Sequence, residues 1–155
     1  MAHTHSFQDL LAKVHVIINS TSDRDDVLGG ICTLLKDEVP HYNWVGFYLV
    51  DPDADRELVL GPYVGAPTEH ARIPFGRGIC GQAADTEETF IIQDVSQETN
   101  YLSCSPDVRS EIVVPILRNR EVLGEIDIDS HALAPFSPQD RAFLESVCAC
   151  VAVII

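Results

Sequence analysis

Residues 111–129 read Glu111-Ile112-Val113-Val114-Pro115-Ile116-Leu117-Arg118-Asn119-Arg120-Glu121-Val122-Leu123-Gly124-Glu125-Ile126-Asp127-Ile128-Asp129, and this stretch decides the fold class. Glu111 to Leu117 and Val122 to Asp129 are strand-like, and Arg118-Asn119-Arg120 between them is short enough for a hairpin turn. Side chains alternate faces along a strand, so Glu125, Asp127 and Asp129 point one way while Ile126 and Ile128 point the other. Three carboxylates in one row repel each other unless they face water, bind a cation or share protons. Two readings stand. One is an edge strand with a solvated acidic face. The other is a chemical site, with Cys104, seven residues ahead of Glu111, as a soft nucleophile beside proton donors.

Upstream, Phe7, Leu10, Leu11, Val14, Ile17 and Ile18 recur at helical spacing, which predicts a first helix from about 6 to 19. Ser20-Thr21-Ser22 offers an N-cap for a second helix striped by Val27, Leu28, Ile31, Leu34 and Leu35, ending before Pro40. Gly29-Gly30 within it costs roughly 1 kcal/mol per glycine against alanine, which close packing on a sheet would explain. Trp44 to Val50, Glu57 to Tyr63 and Thr89 to Gln93 read as further strands. Ser137-Pro138 then opens a closing helix. This order describes a single α+β domain over residues 1–155, with antiparallel strands and helices packed mainly on one face.

Composition narrows the function. Twenty-four acids against ten bases give a net charge of −14, which argues against nucleic acid and anionic membranes as partners. No stretch approaches the ~20 apolar residues of a membrane span, and the first residues lack a secretory pattern, so a cytoplasmic protein is expected. Five cysteines, at 32, 80, 104, 148 and 150, have no Cys-x-x-Cys pair and no four-ligand zinc spacing, so no metal is expected. Cys32, Cys148 and Cys150 sit in helical runs as small hydrophobes.

Arg72-Ile73-Pro74-Phe75-Gly76-Arg77-Gly78-Ile79-Cys80-Gly81-Gln82 reads as a tight loop leading into a short helix. It matches neither a P-loop nor a dinucleotide fingerprint, and a structural turn is its plainest reading. Cys80 at its end is placed where backbone N–H groups can lower a thiol pKa. His70, in a polar loop, reads as solvated, and Trp44 taken alone reads as core.

Together these pieces resemble a GAF domain, and more narrowly the free methionine-(R)-sulfoxide reductase family. The resemblance covers about residues 24–155 and leaves the helix in residues 1–23 outside. It rests on Trp44-Val45-Gly46-Phe47-Tyr48, the glycine loop ending in Cys80-Gly81, Ser110-Glu111-Ile112-Val113-Val114-Pro115, and Gly124 with Asp127-Ile128-Asp129-Ser130. It implies a six-stranded antiparallel sheet, a small closed pocket and often a homodimer. It also implies Cys104 as catalytic cysteine, Glu111, Asp127 and Asp129 as pocket carboxylates, Trp44 as a pocket aromatic, and Cys80 as a further family cysteine.

On that basis Cys104 attacks the sulfoxide sulfur while one carboxyl among Glu111, Asp127 and Asp129 protonates the oxygen. The remaining carboxylates pair with the substrate ammonium. The sulfenic acid left on Cys104 condenses with Cys80, and thioredoxin reduces the disulfide, with no cofactor required. Relatives usually carry a cysteine ten residues before Cys80, where this chain has His70, so the resolving thiol stays open. The segment Ser105-Pro106-Asp107-Val108-Arg109 also departs from the family pattern. A non-catalytic small-molecule-binding or redox-sensing module acting through dimerisation is the alternative. The reductase reading requires one enclosed hollow, sized for a lone amino acid, on which these groups converge.

Overall fold

The structure, a computed structural model, describes residues 6–103 and 105–155. Helices α1 (Phe7–Ile18) and α2 (Arg24–Glu38) lead into strands β1 (Trp44–Val50), β2 (Glu57–Val64) and β3 (Arg72–Pro74). Helix α3 (Gly78–Thr86), strands β4 (Phe90–Ile92), β5 (Ser110–Arg118) and β6 (Glu121–Ser130), and helix α4 (Pro138–Val151) follow. The six strands form one sheet in the order β3-β2-β1-β6-β5-β4, each neighbour pair antiparallel. No helix among the described residues is long and apolar enough to cross a membrane.

The β5–β6 hairpin forms as its sequence predicts, and Asn119 and Arg120 turn the chain with φ of 53° and 64°. That left-handed pair suits the right-handed twist of the flanking strands. Strand β3 is the element that residue patterning misses, because three residues ending in a proline read as loop. It exists because Leu58 pairs with Ile73, and Pro74 is tolerated at an edge where no further N–H is needed. The α2 cap also moves: Asp23, not Ser20-Thr21-Ser22, accepts from the Asp26 N–H. The two glycines face different neighbours: a Cβ on Gly29 would lie 3.8 Å from Pro62 Cβ of the sheet, as expected, while one on Gly30 would lie 3.1 Å from Ile17 Cγ2 of α1.

Register sorts the sheet into two chemically distinct faces. Ile128 lies opposite Val45 and Ile112, and Ile126 opposite Phe47 and Val114. This apolar face packs under α1, α2 and α4 through Leu10, Val14, Leu28, Ile31, Phe143 and Val147, all buried. On the other face Asp129 lies opposite Trp44 and Glu111, Asp127 opposite Gly46 and Val113, and Glu125 opposite Tyr48. Helix α3 covers this second face, its Ile79, Ala83 and Ala84 packing with Tyr48, Leu58, Ile73 and Val113.

Asp140 locks α4 to the segment before β1. Its Oδ2 accepts from the Ser137 N–H and hydroxyl in a capping box. Its Oδ1 accepts from Tyr42 at 2.7 Å and lies 2.8 Å from His41 Nε2. Burial alone would raise this carboxyl, but its hydrogen bonds with His41, Ser137 and Tyr42 prevail and hold it at about 2. The Asp140→Asn variant is expected to lose about 2 kcal/mol at pH 7 in urea unfolding. The Asp140 contribution is complete above the unfolded carboxyl value of ~3.9 and fades as pH falls through the folded one. The two stability curves therefore converge near pH 2.

Candidate active site

The glycine loop is a clamp. Gly78 turns into α3 with φ of 65°, and its N–H is taken by the Asn100 side-chain oxygen at 2.8 Å. The Asn100 amide nitrogen donates to the Gly76 carbonyl at 2.8 Å, and Gln82 Nε2 donates to the Gly78 and Asn100 carbonyls. These bonds fasten the loop before α3 to residues 100–103. The structural reading of the glycine run holds, since a helix-start N–H that would hold phosphate is spent on Asn100.

What the clamp positions is Cys80, buried in the first turn of α3 and aimed at the sheet. Its Sγ lies 3.9 Å from Glu111 Oε2 of β5. Cys80 Sγ, a Glu111 oxygen and an Asp127 oxygen all lie within 4.8 Å of one another. They surround a small hollow of about 10 Å³, walled also by Tyr48, His70, Ile73 and Leu102. The Tyr48 hydroxyl donates to the His70 carbonyl at 2.8 Å, and His70 Nε2 lies 2.9 Å from the Ser103 carbonyl. The expectation of an enclosed cavity sized for an amino acid is corrected: the hollow is partly open and has room for about one water.

Burial sets the protonation here. Glu125, fully buried, has its pKa pushed well above the carboxylate range by desolvation and by the charge of Asp127, opposed by a contact from the Cys80 thiol. Its two oxygens have no partner of ordinary hydrogen-bond geometry among the described residues. Asp127 is likewise raised by burial, against hydrogen bonds with Glu111 and Cys80, and its Oδ1 is buried without a partner. The Cys80 thiol is pushed well above its usual value by burial, then by Asp127, Glu125 and Glu111. This reverses the expectation of a lowered thiol. The acids across the hollow and the loss of water outweigh the helix start.

A GAF domain profile matches residues 21–155. Free methionine-R-sulfoxide reductase of Escherichia coli is 32% identical over 149 residues, covering 96% of this chain and 88% of that protein. The chain belongs to the free methionine-R-sulfoxide reductase family of GAF domains. The Saccharomyces cerevisiae reductase is 42% identical over 106 residues, 68% of this chain and 58% of its own length. The crystal structure of the Neisseria meningitidis reductase in complex with its substrate superposes with a TM-score of 0.90. It is 34% identical, covering 96% of this chain and 87% of that one.

In this reductase, then, the fold brings Cys80, Glu111 and Asp127 together. Asp129 is buried on the same face, one step along β6 and opposite Glu111. Trp44 lies beyond it, stacked on Tyr63 at 5.2 Å with Nε1 donating to the Ala66 carbonyl at 2.9 Å, outside the described wall of the hollow. Cys104 lies outside the described residues, two positions along the sequence from Leu102, which walls the hollow. The absence of zinc-like spacing was no guide to the Cys80, Glu111, Asp127 cluster, which three separate elements assemble. Tyr48 and Glu125 were missed as site residues, although face alternation from Trp44 and Asp127 reaches both. His70, expected in solvent, is half-buried with ring and carbonyl both engaged. Cys32 and Cys148 are buried, as expected, and burial lifts the Cys32 thiol to about 12.

Raised carboxyls carry a signed cost. Glu125 keeps its proton in the folded chain while the unfolded chain ionises above ~4.3, so its contribution to stability is full below that value and is lost as pH rises toward the folded pKa. Glu125→Gln is therefore expected to stabilise the protein by about 1–2 kcal/mol at pH 8 and by clearly less at pH 5. Chemical denaturation at both pH values reads this. Equal gains at the two would contradict a buried, proton-retaining Glu125.

Proposed function

We propose that this oxidoreductase reduces free methionine-(R)-sulfoxide to methionine with Cys104 as nucleophile. The observation that carries the reading is the convergence of a buried thiol and two acids on one small hollow, walled in part by Leu102, two residues before Cys104 in the sequence. The relatives named for this activity support it. A lone amino acid is far larger than the hollow, so its admission displaces Leu102, which packs against Gly78.

Asp127 is the fitting proton donor, because it lines the hollow and burial raises its pKa above the usual carboxylate value. As the Cys104 sulfur bonds to the sulfoxide sulfur, the oxygen takes the Asp127 proton. The hydroxyl so formed takes the proton shed by the Cys104 thiol and leaves as water, breaking the sulfur–oxygen bond. A second water attacks the Cys104 sulfur, the sulfur–sulfur bond breaks with its electron pair going to methionine, and a proton returns to Asp127. Cys104 is left as a sulfenic acid, so the substrate gains the two electrons the cysteine loses. Glu111 and Asp129 pair with the substrate ammonium, which a peptide-bound methionine lacks. Trp44, on the same face, completes the binding surface. In the recycling step the Cys80 sulfur attacks the Cys104 sulfur and water leaves. The raised Cys80 thiol must first lose its proton, and Glu111, 3.9 Å away, is placed to take it. Thioredoxin dithiol reduces the resulting disulfide, and no bound cofactor is involved.

With dithiothreitol as reductant, Cys104→Ser is expected to abolish turnover of the free sulfoxide. Asp127→Asn is expected to lower kcat by ~10²–10⁴ and to remove the alkaline fall in rate that deprotonating this acid causes. Cys80→Ser is expected to keep the dithiothreitol rate and lose the thioredoxin-supported one. Full activity in Cys104→Ser, or equal rates on peptide-bound sulfoxide, would sink the reading.

A further inference from the structure

Among the described residues, one thiol and two carboxylates meet where neither Lys nor Arg lines the wall. We propose that the reduced protein binds a divalent transition-metal cation, Zn²⁺ fitting best, between Cys80, Glu111 and Asp127, and that this cation excludes the substrate. The proposal shares the hollow with the catalytic reading but does not require turnover.

Three observations carry it. The donor set is mixed, one soft sulfur and two hard oxygens, which suits a borderline cation better than Ca²⁺ or Mg²⁺. The spacing is close to that of a coordination shell. Zinc holds sulfur at ~2.3 Å and carboxylate oxygen at ~2.0–2.2 Å, which sets tetrahedral donors roughly 3.5 Å apart. The Cys80 Sγ to Glu111 Oε2 distance is 3.9 Å, and no pair in the cluster exceeds 4.8 Å, so the walls need to contract by about 1.3 Å at most. Independently, Asp127 is 2% exposed and its Oδ1 has no hydrogen-bond partner, although the residue faces a hollow of about 10 Å³. Such a volume takes one ion or one water, and three protein donors leave a fourth position for a small ligand. Binding expels the Cys80 thiol proton and forms a sulfur–metal bond, with no change of oxidation state. The occupied hollow then has no space for a sulfoxide.

Cobalt(II) added anaerobically to the reduced protein tests this directly. The expected result is one equivalent per chain with a thiolate-to-cobalt charge-transfer band and tetrahedral visible bands, bleached by Zn²⁺. Cys80→Ser should lose the charge-transfer band, and Asp127→Asn should weaken cobalt affinity at least tenfold or so. Cys150→Ser should change nothing, which sets aside the half-buried Cys150, whose Sγ lies 3.7 Å from His15 Nε2. In steady-state assays Zn²⁺ should raise the sulfoxide KM and leave kcat unchanged. No charge-transfer band, a band lost only in Cys150→Ser, or full cobalt affinity in Asp127→Asn would overturn the proposal. The cobalt spectra appear whether or not the chain turns over sulfoxide, so the two readings fail separately.

Discussion

The register of β6 between β1 and β5 is the constraint on which the rest depends. Because side chains alternate, fixing Ile126 and Ile128 against Phe47, Val45, Ile112 and Val114 simultaneously commits Glu125, Asp127 and Asp129 to the opposite face. A one-residue slip would put three acids under α1, α2 and α4 and turn the isoleucines toward the small hollow under α3. The acids are thus held in a dry place by the burial of their own sequence neighbours. Each well-buried aliphatic or aromatic side chain on the helix-covered face contributes about 1.5–3 kcal/mol, enough to bear the strain on the other side.

That division of labour explains the protonation state of the site. Carboxyls and a thiol shut away from water hold their protons more tightly than they would at the surface. A group that would be an anion on the surface is pushed toward its protonated form when α3 shuts it in. The same enclosure disfavours the Cys80 thiolate in spite of its place at a helix start. Stability and chemistry pull the second face in opposite directions, as sites built from buried ionisable groups do.

Most of the scaffold was legible in the sequence because its signals are local. The hairpin around Asn119, the Ser137-Pro138 cap and the apolar stripes of α1 and α2 are each written within a few turns or strand residues. So is the placement of three acids on one face. The unread parts are those assembled from distant segments. Strand β3 exists only by pairing with Leu58, the Cys80 thiol is governed by acids some thirty or more residues downstream, and the closeness of the hollow depends on Leu102 and His70 meeting across two loops. Sequence spacing reports what can share a face, whereas solvation and cavity size arise only once faces meet.

Asn100 shows what this architecture asks of a single amide. Its oxygen accepts from Gly78 and its nitrogen donates to Gly76, so both ends of one side chain are committed in opposite senses. Hydrolysis of that amide to aspartate would leave the first bond possible and set an anion against the Gly76 carbonyl. Spontaneous deamidation at this one position would thus release the buckle between two loops, ageing the molecule at its most exacting joint while the helical layer stays sound.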